Sequence, residues 1–318
     1  MIGKVRTECN MYVRNYAAMA RENVWGNDMV RMAAAGISVV GHRPLDIKRI
    51  QYCEQLLKAH ESIFSSLRGL GSYVYCVKMA MSDDPEEWLD HLSEVHAALR
   101  RGWFTNGTTA LAAMNIVDIV PPEQYGIIVE RTLQIYEAMG NAHVFLTSEE
   151  DMAFAALMAI MGESPTVIHR KAEEMYSILL DTLDAGRNTI QTISHILSLY
   201  DGDPESMCRM VVALHEGLKQ AGHPMGGESS AAVLATFAAS RRDIRELVED
   251  IAAADDFLYG HKPFKGIFGQ SARLRRMIAV LCVQSAEESA DSGLSASIAA
   301  AVSVSLAIQM AAAAAAAA

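Results

Sequence analysis

Two polar segments of the chain contain the side chains best suited to ligand binding or acid–base chemistry. The first is Leu146–Asp151, which includes Thr147, and the second is Asn188–His195, which includes Gln191. Each stands where the hydrophobic pattern predicts that a helix begins. The N–H groups of a helix's first turn lack intrahelical partners and carry the positive end of the helix dipole, so such a position can bind an anion.

Basic side chains in or near turns favour the same interpretation. These residues are Arg68, His143, Arg187 and His223. Helices are predicted to begin near Thr108, Ser148, Asn188 and Ser229. If these helix starts share one edge of the fold, their N–H groups and the nearby cations would together bind an anionic ligand. The candidate ligand-binding residues are therefore Arg68, His143, Thr147, Asp151, Arg187, Asn188, Gln191 and His195.

Helix capping offers a simpler interpretation of both segments. Ser148 with Asp151, and Asn188 with Gln191, have the spacing of a capping box or a close variant of it. In that motif the first side chain accepts from the helix N–H groups and the second reaches back to the cap. Capping explains the polar residues without any ligand.

A metal or general acid–base site is a weaker hypothesis. Its candidates would come from neighbouring parts of the fold: His143, Glu149, Glu150, Asp151 and His195. No His-x-x-x-His or Glu-x-x-His spacing places two ligands on one helical face, so we expect no metal. The chain also lacks the Gly-rich and Gly-x-Ser-x-Gly motifs that would identify a cofactor or a nucleophile. The enzyme alternative is a pocket around His143, Asp151, Asn188, Gln191 and His195.

The acidic run Asp83–Glu87 superficially resembles the aspartate-rich motif of prenyl-diphosphate enzymes. Pro85 argues against that function, because the metal-binding motif needs carboxylates that project from one helix face. Asp84 instead suits an N-cap, Pro85 the first helical position, and Glu86 and Glu87 the positive end of the helix. The run therefore predicts a helix start.

A repeated pattern gives the framework for these segments. A histidine or tyrosine followed three places later by an apolar residue recurs about every 40 residues. The positions are His96, Tyr136, Tyr176 and His215, followed by Leu99, Met139, Leu179 and Leu218. Because histidine and tyrosine exchange there, we interpret them as packing residues with a polar tip. Each repeat opens at a proline and reads as two helices, the second richer in alanine and expected to be more buried.

The pattern predicts an all-α fold, a right-handed, α-solenoid-like stack of helical hairpins. Residues 1–81 are expected to form an N-terminal helical cap and a degenerate first repeat, and residues 82–240 four regular hairpin repeats. An eroded repeat and an alanine-rich packing helix would occupy residues 241–318. Atypical ends are expected of a repeat array, since its terminal units cap the core. We expect one continuous domain.

Charge and cysteine content narrow the possible partners and location. The 318 residues include 27 Lys and Arg against 38 Asp and Glu, a net charge of −11, so a nucleic-acid partner is not expected. The five cysteines are scattered without a Cys-x-x-Cys pair, which argues against a zinc knuckle or a disulfide framework. The charged start, Met1–Glu8, lacks the apolar core of a signal peptide, so we expect a cytoplasmic location.

The uncharged segment Leu294–Ala318 is long enough to cross a membrane. Its larger side chains, however, form a stripe on one helical face: Leu294, Ile298, Val302, Leu306 and Met310. The serines of this segment would also make its insertion into a membrane, which is only marginally favourable, less favourable still. We therefore expect a helix that packs on the array rather than a membrane span.

Several segments resemble a bacterial family known as domain of unknown function 4003. They are Arg68–Gly69, Ile135–Met139, Leu146–Met152 and Asn188–Leu199, and Trp25 and the alanine-rich tail also fit. The resemblance covers nearly the whole chain. It implies a bacterial, cytoplasmic, all-helical protein and carries no activity over to it.

The repeat pattern favours a non-catalytic binding module over an enzyme. Stacked hairpins present long surfaces, which suit a peptide, a protein or an anionic small molecule.

Overall fold

A computed structural model gives the architecture of the chain. It describes residues 3–61, 66–68, 71–100, 107–141, 151–226, 230–266, 272–287 and 294–316. These residues form helices and turns, and none of them lies in a strand. The predicted all-α class is therefore confirmed for the described part of the chain.

The α-helices are α1 (Gly3–Arg21), α2 (Asp28–Val40), α3 (Ile47–His60), α4 (Ser72–Met81), α5 (Pro85–Leu99), α6 (Gly107–Ile119), α7 (Tyr125–Asn141), α8 (Asp151–Met161), α9 (Pro165–Thr182), α10 (Arg187–Leu197), α11 (Pro204–Gln220), α12 (Ile244–Tyr259), α13 (Ala272–Ala286) and α14 (Leu294–Ala316). Short 3-10 helices cover Ser66–Arg68, Pro122–Gln124 and Ala231–Phe237.

Helix α5 begins at the acidic run, as the sequence predicts. Asp84 is the N-cap of α5, and its Oδ1 accepts from Glu86 N at 2.9 Å and Glu87 N at 3.1 Å. Pro85 occupies the first turn, where a missing N–H costs nothing. The prediction that this run begins a helix is confirmed.

The chain divides into two compact units. The first comprises Met1–Leu45 and Lys171–Ala318, and the second comprises Asp46–Arg170.

In the second unit, α5 packs against α6, α7 against α8, and α6 against α8. The alanine-rich helices form the inner layer, since Ala112 and Ala113 of α6 and Ala155 and Ala156 of α8 are fully buried. Small side chains let helices approach closely, which explains why alanine marks the buried layer. The expected burial of the second helices is confirmed in this unit.

In the first unit, α1 packs against α2 and α13, and α12 packs against α11 and α13. The C-terminal helix α14 contacts α2, with Ile298, Val302 and Leu306 buried. Leu294, at the start of the same stripe, is 42% exposed.

Within the described residues, no single helix has both the length and the apolar character needed to cross a membrane. The helices Met152–Met161 and Pro165–Thr182 together have the length and apolar composition of a membrane span, but they are bent by 114° at their junction.

Candidate functional site

The first unit contains a cavity of about 470 Å³. Its walls come from the segment before α10, the second half of α11 and the chain that follows α11. The lining residues are Asp184, Ala185, Gly186, Thr189, His215, Lys219, Pro224, Met225, Gly226 and Ala231. This volume lies within the range of small-molecule binding pockets.

The first turn of α10 borders this cavity without a side-chain cap. Gly186 is the N-cap residue, with φ −66° and ψ 150°, and as a glycine it supplies no side-chain cap to the helix. Gly186 and Thr189 both line the cavity. The positive end of the α10 dipole therefore lies at the cavity wall.

The position of this cap corrects the predicted capping box. We expected Asn188 to cap the helix with Gln191 reaching back, but Asn188 is the second helical residue. The extended backbone at Gly186 starts the helix, and its carbonyl accepts the first intrahelical bond from Ile190 N at 3.0 Å. Because glycine has no side chain, the N-cap residue itself makes no side-chain hydrogen bond to the first turn.

His215 of α11 stands in the cavity wall with hydrogen-bonding capacity unused. The residue is 7% exposed, and its Nδ1 is buried with no hydrogen-bond partner among the described residues. Glu216 Oε1 lies 3.6 Å from this nitrogen, beyond hydrogen-bond distance. A buried polar atom without a partner is energetically costly.

Lys219, one turn further along α11, adds a cation to the cavity. Its Nζ lies 3.8 Å from Asp184 Oδ2, and the two side chains are 52% and 89% exposed. An exposed ion pair at this distance is weak. Lys219 can therefore turn from Asp184 to a bound anion at little cost.

Apolar residues also line the cavity. They are Ala185, Pro224, Met225 and Ala231, of which Met225 and Ala231 are buried. Ala185 directly precedes Gly186, and the other three belong to the chain after α11.

A buried ionic cluster holds the turn that carries the cavity-lining Pro224. Asp255 of α12, which is 1% exposed, contacts Arg275 Nε through Oδ1 at 2.6 Å and His223 Nδ1 through Oδ2 at 2.7 Å. Arg276 Nη1 donates to Pro224 O at 2.8 Å. From the sequence, His223 was suggested as one of the basic residues that would contact an anionic ligand. In the structure it instead helps to hold the turn that carries Pro224.

The predicted site residues of the second segment all lie on α10. Arg187 and Asn188 are exposed next to the cavity-lining residues, Gln191 is half-buried, and His195 is 3% exposed. The structure thus places Arg187 and Asn188 beside the cavity, and His195 is a buried residue of the same helix.

The remaining candidates belong to the second unit. Arg68 is half-buried there, and its Nη1 donates to Glu61 O at 3.2 Å, a contact that fixes the local chain. Asp151 is the first residue of α8. His143 and Thr147, and Ser148 of the first predicted capping box, lie outside the described residues. No group of three or more His, Cys, Asp or Glu side chains suited to a metal ion occurs within the described ranges.

Sequence reasoning missed His215, Lys219 and Met225 as cavity residues. The exchange of histidine and tyrosine in the repeat indicated a packing role for His215, and the residue is indeed buried. Its position beside the start of α10 results from tertiary packing, which the local sequence does not predict.

Comparison with known proteins gives a family and no characterised relative. No curated protein and no solved structure matches the chain. The model of the family described as Protein of unknown function (DUF4003) matches residues 15–313. This match confirms the resemblance seen in the sequence segments, and the chain belongs to the DUF4003 family.

Proposed function

We propose that the protein binds a small anionic molecule in the cavity at the N-terminus of α10. One observation carries the proposal: Gly186 at the start of α10, His215 and the amine of Lys219 line the same cavity. The positive end of a helix dipole favours negative charge, and a nearby lysine adds to that preference.

The cavity favours a small molecule over the peptide or protein partners that the sequence also allowed. A volume of about 470 Å³ suits a small molecule better than an extended peptide. An oxygen-rich head would accept from the first N–H groups of α10, while Lys219 would form a charge-assisted contact with it.

The repeat of helical hairpins is our proposed framework for this site. Its support is that α5, α9 and α11 begin at a proline and that α7 directly follows the short 3-10 helix Pro122–Gln124. In such a repeat the first turn of one hairpin's second helix lies near the next hairpin. The cavity follows that rule, because it is lined by the start of α10 and by α11.

Gly186 allows a direct test of the proposal. Its side-chain position is open, since an added Cβ would meet nothing within 4 Å. Gly186→Asp would cap α10 with its own carboxylate and occupy the proposed anion position. Gly186→Ala is the matched control, because it adds a Cβ without a cap or a charge.

The experiment is a titration of the full-length protein with acetate and, separately, with inorganic phosphate, followed by thermal unfolding. We expect a saturable rise in Tm in the parent and in Gly186→Ala, since a ligand that binds only the folded state stabilises it. Gly186→Asp should show no rise while its own stability is equal to or slightly above that of the parent. Equal responses in all three proteins, or no response in the parent, would remove the site.

Lys219 gives an independent check on the same helix. Lys219→Ala should weaken anion binding, and the affinity of the parent should fall as NaCl rises, because salt screens exposed charges. Arg209→Ala is the control: Arg209 also lies on α11, is 70% exposed, pairs with Glu205, and does not line the cavity. Equal weakening by both substitutions would point to general surface charge.

A further inference from the structure

Two cysteines that are far apart in the sequence meet in the core of the first unit. Cys9 lies on α1 and Cys282 on α13, and these two helices pack against each other. Both side chains are 0% exposed, and both carry free thiols. A side-chain hydrogen bond joins Cys9 to Cys282, so the two thiols are in direct contact.

The surroundings of Cys282 agree with this contact. Glu8, directly before Cys9, and Tyr12, three residues after it, both lie close enough to Cys282 for their charges to interact. Positions 8, 9 and 12 share one face of a helix, because side chains three and four apart lie on the same side. That face of α1 is therefore turned toward Cys282 of α13.

The contact gives this pair a chemistry that a single buried cysteine lacks. The hydrogen bond with Cys9 raises the pKa of the Cys282 thiol, and burial raises it further. The thiolate is the reactive form, so the pair stays reduced until an oxidant reaches it. Once one sulfur is oxidised, the other thiol is already beside it and can resolve the product to a disulfide.

We propose that Cys9 and Cys282 form a reversible disulfide that ties α1 to α13 when the protein meets a disulfide oxidant. A thiol of the pair first exchanges with the oxidant to give a mixed disulfide and releases one thiol from it. The second thiol of the pair then attacks the mixed disulfide and releases the other. One S–S bond forms between the helices, two protein thiols are oxidised, and the oxidant is reduced to two thiols.

The disulfide should stabilise the folded protein. Cys9 is near the start of the chain and Cys282 is near its end, so the bond closes a long loop. A cross-link that closes a long loop removes conformational entropy from the unfolded chain. We therefore expect the Tm to rise on oxidation and to return to its first value when dithiothreitol reduces the bond.

The test is oxidation of the folded, full-length protein with oxidised glutathione, followed by alkylation of the remaining thiols in denaturant and peptide mapping. We expect a pair of peptides linked through Cys9 and Cys282, with the link lost on reduction. Cys208 of α11 is the internal comparison, because its Sγ donates to Met175 O at 3.8 Å. Cys208 should remain open to alkylation, and Cys208→Ser should oxidise as the parent does.

Cys9→Ala should remove both the link and the rise in Tm, and the peptide map of the parent decides the matter if this variant does not fold. Three results would overturn the proposal: Cys9 and Cys282 still fully alkylated after oxidation, each of them joined to glutathione and not to the other, or a link that forms only in urea. A Tm that falls or stays unchanged when the link forms would overturn it as well.

Discussion

His223 Nδ1 lies 2.7 Å from Asp255 Oδ2 of α12. This contact holds the turn that carries the cavity-lining residues Pro224 and Met225 against α12. Asp255 also accepts from Arg275 through both oxygens, at 2.6 Å and 3.1 Å, and Arg276 Nε lies 3.6 Å away. One buried carboxylate therefore holds three basic side chains. The shape of the cavity depends on this carboxylate even though Asp255 does not line it.

We expect Asp255→Ala to destabilise the protein strongly. The substitution leaves Arg275 and Arg276, which are 11% and 19% exposed, without their counter-charge. Removing one partner of a buried ion pair typically costs about 3–5 kcal/mol in the free energy of unfolding. Urea denaturation measures the loss. Arg245→Ala is the control on α12, because the exposed Arg245–Glu249 pair should contribute less than about 1 kcal/mol. Equal effects of the two substitutions would contradict the assigned role of Asp255.

Helix α11 approaches α12 so closely at Gly217 that only glycine fits without movement. A Cβ added there would lie 2.8 Å from Val248 Cγ2. We expect Gly217→Ala to destabilise the protein by about 1–3 kcal/mol in urea denaturation, as overpacked cores do. Adding Val248→Ala should recover part of that loss, and a double-mutant cycle measures the coupling.

Gly36 of α2 provides the comparison. A Cβ at Gly36 would meet Ile278 Cδ1 at 3.6 Å, an ordinary contact. Gly36→Ala should therefore be neutral or stabilising by about 0.5–1 kcal/mol, since alanine favours the helix. A loss at Gly36 as large as at Gly217 would show that the contact distance does not decide the outcome.

His42 should make the stability depend on pH in one direction. Its hydrogen bond to Glu8 raises its pKa above the ordinary value of 6.5, although burial opposes the shift. The protonated form is favoured in the folded state, so this stabilisation is complete below pH 6.5 and is lost as the pH rises through the folded pKa. His42 has φ 52°, so Asn, which tolerates that region, is the suitable replacement. The stability difference between His42→Asn and the parent should be larger at pH 5.5 than at pH 8.

His96 should act in the opposite direction. Burial lowers its pKa, with Arg100 adding to the effect, so the folded state favours the neutral ring. This contribution is present above the ordinary value of 6.5 and is lost as the pH falls through the folded pKa. His96→Tyr introduces the residue found at Tyr136 and Tyr176 in the repeat and should reduce the loss of stability between pH 7 and pH 5. An unchanged pH profile in urea denaturation would exclude His96 as a source of acid sensitivity.

The helical class and several helix starts could be predicted from the sequence because their causes are local. Asp84 and Pro85 act on the helix that they open, and the alanine-rich composition of α6 indicates a buried helix. A helix start was predicted near Asn188, and α10 begins at Arg187, but the predicted N-cap Asn188 is wrong because Gly186 is the N-cap. Gly186, Arg187 and Asn188 are adjacent, and the choice among them depends on the backbone angles at Gly186.

The cavity could not be predicted because its walls come from segments that are separate in sequence. Gly186, His215 and Met225 meet only through the packing of α10, α11 and the chain after α11. Helical periodicity identifies which face of each helix is buried, and it carries no information on a gap between buried faces. The segment 188–195 was therefore recognised as unusual, while the partners of its first turn were not.

The last prediction concerns α14. Leu306 is 1% exposed, and its helix contacts α2, so Leu306→Asp would bury a charge without a partner. The free energy of unfolding should fall by several kcal/mol. Leu294→Asp is the control on the same helix: Leu294 is 42% exposed in the first turn, where a carboxylate is favourable, so the change should be close to neutral. Urea denaturation of both variants measures the difference. Equal stability of the two variants would mean that α14 does not pack against α2 in solution.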